Sequence, residues 1–393
     1  MASLENQEKQ TLSSKNLPDL VYLTAEVGSV YESQVVSLLE YYQTKSWFRS
    51  IHLVCGIGSE KEKTRVRKAL DGKGIDVLFF ENRPNYFFFN ASQQKQVFSA
   101  LHGLPNDLKE PIVHIRGELL ALHASKPILK KWGSLKHVLV DIRGAGWEEV
   151  QEFQKMSFLL MILKKPNFTK AFKNLHTFGA VSAVSEALKL YVGKSMGNSK
   201  HPIHVVPCLV SDNFERSKQS RNRIRTELGI QEQQKLIVFS SGGNAGWQQN
   251  EVLEKMVSGR WQILNLSASS IEAEGVINRF VSYSEVPDYL AAADAAIIFR
   301  SQSVVNKVAC PVKFCEYLCA GLPVIANNSV DLIKYALEQH ALGCLISSPE
   351  KIHSLTDHNL FGFDHQSIAN YGKTVFGIEA VAATYKSIYS SLV

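Results

Sequence analysis

The chain has 393 residues, 45% of them hydrophobic and 20% charged, and a formal net charge of +6. That length exceeds one ordinary core and implies two or three domains, two being the working number, and the apolar content excludes disorder except at the ends. A modest positive charge accords with acidic lipids or phosphorylated ligands and gives no sign of nucleic acid.

From the N-terminus, MASLENQEKQTLSSKNLPD is polar and lacks the apolar stretch of a signal peptide. Residues 1–17 are therefore expected to be a disordered tail, and the protein cytoplasmic. No apolar run approaches spanning length; the densest, residues 156–163, is short, so any membrane association is expected to be peripheral, on the inner face. Short apolar runs at 20–24, 51–55, 77–80, 112–115 and 138–142 read as strands, and apolar residues recur at helical spacing in 35–42 and 64–70. Strands alternating with helices predict an α/β, doubly wound parallel sheet.

Ligands of such sheets bind beyond the carboxyl ends of the strands. Position alone makes Gly28, His114, Arg116, Asp141, Arg143 and Gly144 candidates, from the turns HIRGE and VDIRGAG. Each Arg-Gly turn also reads as an ordinary salt-bridged turn, but two at successive strand ends favour function.

Between Phe153 and Ser185 the chain carries no acidic residue, while Lys155, Lys164, Lys165, Lys170 and Lys173 alternate with Phe158, Leu159, Leu160, Ile162, Phe168 and Phe172. Residues 153–173 suit a helix lying on an anionic membrane surface, and equally a core helix with a solvated lysine edge. The cluster at 86–89, YFFF, carries the same two readings.

The segment NSKHP, 198–202, marks a hinge, dividing the chain into a domain at 18–200 and another at 201–365. In the second, strands are expected at 236–239, 262–266, 295–299, 324–326 and 343–346, and one long helix over 366–392 is expected to cross back onto the first domain. Gly242 and Gly243, in SSGGNAGWQQN, lie where backbone N–H groups can approach a diphosphate, although a tight turn looks the same. In PVKFCEYLCAGLPVIA, 311–326, Pro311 starts a helix, Gly321 stops it and a buried strand follows. Lys313 and Glu316, three apart, share one face; they read as a phosphate and sugar-hydroxyl clamp or as a surface ion pair.

Six cysteines, with no paired CxxC, read as reduced thiols. Cys315 and Cys319 share a helical face, but small residues packed against a sheet account for them better than a metal, and none is expected.

EVPDYLAAADAAIIFR followed by PVKFCEYLCAGLPVIANN resembles the carboxyl half of retaining GT-B glycosyltransferases of the family 4-like, polysaccharide-building type. VSAVSEAL, VVPCLVSDNF and VDIRG resemble further elements of that group. The resemblance implies two Rossmann-like domains facing across a cleft, a nucleoside-diphosphate sugar as donor substrate, no metal or other cofactor, and a free or lipid-linked saccharide as acceptor. Glu316 would then receive the donor's ribose hydroxyls. Two departures stand out: Val308 occupies the place of the family's first glutamate, and the glycine loop lacks the usual diphosphate-gripping cations, for which Arg300, Lys307 and Lys313 are the nearest substitutes. His114, Arg116, Asp141 and Arg143 are left to handle the donor sugar and acceptor. A sugar-nucleotide epimerase of the same architecture and a non-catalytic nucleotide-sugar-binding subunit are the rival readings.

Overall fold

The computed structural model describes residues 17–28, 30–84, 86–154, 157–241 and 250–393. Seven parallel strands form the first sheet: Leu20–Thr24 (β1), Ile51–Ile57 (β2), Asp76–Glu81 (β3), Ile112–Arg116 (β4), Val138–Ile142 (β5), Ala180–Ala183 (β6) and Ile203–Val205 (β7), in the order β3-β2-β1-β4-β5-β6-β7. Six more form the second: Lys235–Ser240 (β8), Trp261–Leu266 (β9), Val276–Arg279 (β10), Ala295–Ile298 (β11), Val324–Ala326 (β12) and Gly343–Leu345 (β13), in the order β10-β9-β8-β11-β12-β13. Every residue of β1, LVYLT, is buried, as a parallel strand covered on both faces requires. Strand order reverses between β1 and β4 and again between β8 and β11, and each reversal opens a crevice at the carboxyl ends of the strands.

The helices that build the site are Glu118–Trp132 (α1), Gly146–Glu152 (α2), Phe158–Asn174 (α3), Val304–Lys307 (α4), Val312–Cys319 (α5), His365–Phe376 (α6) and Ile378–Ser390 (α7). Two expectations about the domain crossings change. Because β7 pairs with β6, the chain leaves the first domain after Val205 rather than near Lys200. The terminal segment is two helices, not one: α6 packs on α5, where Gly372 lets the backbones of Leu318 and Cys319 come close, and α7 packs on the first sheet. The break is at Gly377, whose ψ of 145° is extended. Here the two crossings join, Val210 N–H donating to Phe376 O (2.8 Å) and Ile378 N–H to Val210 O (2.9 Å).

The period-two alternation of β4 and β5 sorts their side chains. Val113, Ile115, Val138, Val140 and Ile142 enter one core, while His114, Asp141 and their neighbours point to the other face, which α7 covers. Across the cleft the domains touch: Glu152 of α2 accepts from the backbone N–H groups of Val304 (3.0 Å) and Val305 (3.4 Å), and Ser185 Oγ donates to Val308 O (2.6 Å).

Candidate active site

On the second domain α5 carries Glu316 into the interdomain space. Pro311 sits one place earlier than expected, as the extended residue before the helix, and Gly321 takes the left-handed φ of +71° that ends it, with no room for a side chain against His365 O. Glu316 is 1% exposed. Its Oε2 accepts from Lys313 Nζ at 2.8 Å, and its buried Oε1 has no hydrogen-bond partner among the described residues. The pairing with Lys313 is real, but it satisfies only half of the carboxylate. An orphaned buried carboxylate oxygen costs stability, so it marks a place where a hydroxyl donor belongs.

Arg300 follows β11 at the switch point. Asn327 Nδ2 and Ser329 Oγ both donate to its carbonyl (2.8 Å each), fixing the backbone. Among the described residues no carboxylate pairs with its guanidinium, and burial lowers its pKa to about 10. With Lys313 it lines a small recess that includes Phe239 and Ser240 at the end of β8. The unpaired guanidinium of Arg300 beside Lys313, at the carboxyl ends of parallel strands, can seat a phosphate. Lys307, by contrast, is exposed on α4 and outside this recess, and Gly242 and Gly243 lie outside the described residues. Val308 is buried and apolar, so its side chain offers a ligand nothing.

The first domain's switch point holds a pocket of about 410 Å³. Arg116 at the end of β4 reaches Glu26, just past β1, through its Nε, and this pairing holds the Glu26 carboxyl below the usual range. Arg143, Glu149, His123 and Phe168 complete much of the wall. Glu118 opens α1 after Gly117, whose φ of +97° only glycine adopts readily. Burial, with Glu149, Glu148 and Glu26 nearby, raises the Glu118 carboxyl to about 7. Glu118 and Glu149 were not anticipated; the signal for Glu118 was the final letter of HIRGE.

Arg116 and Arg143 thus share one pocket, but His114 and Asp141 do not reach it. Both have no exposed surface, so the expectation that they meet a substrate directly is corrected for this conformation. Asp141 accepts from Ser182 Oγ (2.8 Å) and Tyr385 OH (3.1 Å), and lies 3.5 Å from Arg143, 3.6 Å from His114 and 3.7 Å from Arg116. Burial by itself raises this carboxyl; Arg143, His114 and Arg116 outweigh it and hold the pKa far below the usual range. His114 Nδ1 shares a 2.6 Å hydrogen bond with Tyr389 OH, and burial lowers its pKa. The physical reason is α7, which lays Tyr385 and Tyr389 over the strand ends. Gly28 is exposed and lies in open space.

Beside the pocket, α3 buries Asn167, Phe168, Ala171 and Phe172 and leaves Phe158 (74% exposed), Leu159 (67%) and Ile162 in the open. Phe87 and Phe88 are exposed too, and Lys164 Nζ stands 5.4 Å from the neighbouring Tyr86 ring. The patch therefore joins two elements: Phe87, Phe88 and the first turns of α3 lie outside the core, while Tyr86 and Phe89 are half-buried. Lys155 lies outside the described residues. Among those residues no helix is long and apolar enough to cross a membrane.

No protein-family model matches the chain, and no curated protein matches it. Solved structures do. A glycosyltransferase from Rickettsia africae superposes with a TM-score of 0.70 at 14% identity, covering 96% of this chain and 99% of its own. HepE from Anabaena, solved with UDP and glucose, gives 0.68 at 12% identity over 95% of this chain and 100% of its own. The catalytic domain of starch synthase IV from Arabidopsis thaliana, solved with ADP and acarbose, gives 0.64 at 13% identity over 96% and 100%. Two parallel-sheet domains facing across a cleft, tied by a returning C-terminal helix, are the GT-B architecture, and that is the fold of this chain.

Proposed function

We propose that the protein is a glycosyltransferase that moves a sugar from a nucleoside-diphosphate donor to a saccharide acceptor. The observation that carries this is the pairing, at one switch point, of an orphaned buried carboxylate oxygen on Glu316 with the uncompensated cation of Arg300. Glu316 Oε1 receives a ribose hydroxyl, and Arg300 with Lys313 faces the diphosphate. As the bond from the anomeric carbon to the diphosphate breaks, negative charge grows on the leaving group, and fixed cations stabilise it without a metal. Arg116 and Arg143 border the pocket that receives the reacting sugars on the opposite domain, Asp141 fixes those two guanidinium groups, and closure excludes water. We assign retention at the anomeric carbon and a place in polysaccharide assembly on the resemblance of EYLCAGLPVIA to that group. The exposed apolar patch with Lys164, Lys165, Lys170 and Lys173 beside it supports an acceptor met at an anionic membrane surface, and six free cysteines accord with the reducing cytoplasmic side.

Titration calorimetry with UDP and UDP-glucose tests the donor assignment. Glu316→Ala should weaken binding at least tenfold, about 1.4 kcal/mol, whereas Glu350→Ala, exposed and paired with Lys255, should not; equal effects sink the ribose assignment. Val308, where the family places a glutamate, favours one rival, a subunit that binds nucleotide sugars without turnover. Nucleotide release that requires an added saccharide separates transfer from that rival, and from epimerisation, which alters the donor alone.

A further inference from the structure

We propose that the first-domain pocket takes an uncharged saccharide and that Glu118 selects it by accepting a hydrogen bond from one of its hydroxyls. This rests on the transferase reading and names the acceptor class for it.

Three observations converge. Glu118 is 7% exposed, lines the pocket, and its carboxyl group is bonded by no side chain among the described residues; its own backbone N–H is its partner. A buried carboxyl so placed has capacity for a ligand. Secondly, the pocket is shaped to bring Glu118 together with an aromatic face. A Cβ at Gly146 would stand 2.8 Å from Glu118 Oε1 and 3.0 Å from the Phe168 ring, so a side chain there would push both away from their present positions. An apolar face beside hydrogen-bonding groups suits the two sides of a sugar ring. Thirdly, the charges offer an anion little. Glu26, Glu118 and Glu149 line the pocket, Arg116 is paired with Glu26 and Asp141, and Arg143 with Asp141. Lys164 joins from α3, and His123, whose pKa burial lowers to about 4, stays neutral with Asn90 bonded to its Nε2.

Saturation-transfer NMR with a panel of neutral methyl glycosides and their uronic-acid counterparts reads this without turnover. The native protein should bind at least one neutral member and no uronic acid; Glu118→Gln should weaken that binding tenfold or more; and Gly146→Ala should weaken it with every charge kept. Binding by the native protein should fall as pH drops through 7, and Glu118→Gln should flatten that dependence, a change that a purely structural role would not produce. UDP affinity, measured in parallel, should stay within twofold in both variants. Loss of UDP binding in the native protein would overturn the transferase reading. Absence of any glycoside binding, preference for the uronic acids, or a Glu118→Gln variant that binds like the native protein would each overturn this inference alone.

Discussion

Two buried carboxylates in the first domain have opposite electrostatic settings, and the difference separates scaffold from site. Asp141 is surrounded by Arg116, Arg143, Ser182 and Tyr385, so its charge is matched and its pKa depressed; the stability it contributes is present above the ordinary carboxylate range and is lost only in strong acid. Glu118 is stripped of water by burial, with other carboxylates around it, Glu149 first, and no side-chain donor, so its folded pKa rises from 4.5 to about 7. Below 4.5 both the folded and unfolded chain hold this proton. As pH climbs, the unfolded chain releases it first, so stability falls until the folded group also ionises near 7, after which a penalty of about 3 kcal/mol persists. Glu118→Gln removes that penalty. The variant should melt several degrees above the native protein at pH 8, with the gap closing as pH approaches 4.5, as calorimetry at both ends of the range would record. A residue that the fold would be more stable without is one retained for another purpose.

At the scale of elements, the strands were legible because a buried parallel strand is a short apolar run: 20–24, 138–142 and 324–326 appear in the structure with those bounds. Strand β10, VINR, was not, since it is a half-exposed edge strand with no apolar run, and α1 was hidden by Pro127 in its middle. The site divides along the same line. The helix that carries Glu316 was legible because its signature is local, a helix, a glycine stop and a strand within sixteen residues, whereas the role of Glu316 was read from the resemblance. The burial of His114 and Asp141 was not, because the helix covering them enters more than two hundred residues later. For α3 two readings were open, and the helix divides between them: its second half buries Phe168, Ala171 and Phe172 in the core, while its first turns present Phe158, Leu159 and Ile162 to solvent beside Phe87 and Phe88. Apolar side chains grouped this way, with exposed Lys165, Lys170 and Lys173 on the same helix, match an interfacial helix. Replacing Phe88 and Leu159 with serine should cut co-sedimentation with vesicles rich in anionic lipid at least fivefold, and replacing Lys165 and Lys170 with glutamate should do so in a salt-sensitive way. Unchanged pelleting in both pairs would refute the interfacial role.

For the molecule as a whole, the proposed donor and acceptor sites lie on different domains, so the proposed transfer depends on how two crossings hold those domains together. Both crossings pass one guanidinium. Arg143 donates to Val206 O (3.3 Å) and Cys208 Sγ (3.1 Å) on the outgoing strand and to Tyr385 OH (3.4 Å) on the returning helix, while its other contacts are Asp141 and Gln34 Oε1, each at 3.5 Å. Gln34 grips the outgoing strand as well, accepting from Leu209 N–H (3.1 Å) and donating to Leu209 O (2.9 Å). Arg143 therefore links the first-domain pocket it lines to the hinge. Arg143→Ala leaves Asp141 short of its leading counter-charge in a buried setting, which costs on the order of 3 kcal/mol, and it frees the hinge backbone. Its melting temperature should fall, and small-angle scattering should show a larger radius of gyration than the native protein, narrowed less by added UDP-sugar. Arg143→Lys should not restore either property, because an ammonium on one flexible stem cannot reproduce a planar fork that meets five partners at once. A lysine variant with native melting and native compaction would show that charge alone, and not this geometry, couples the pocket to the hinge.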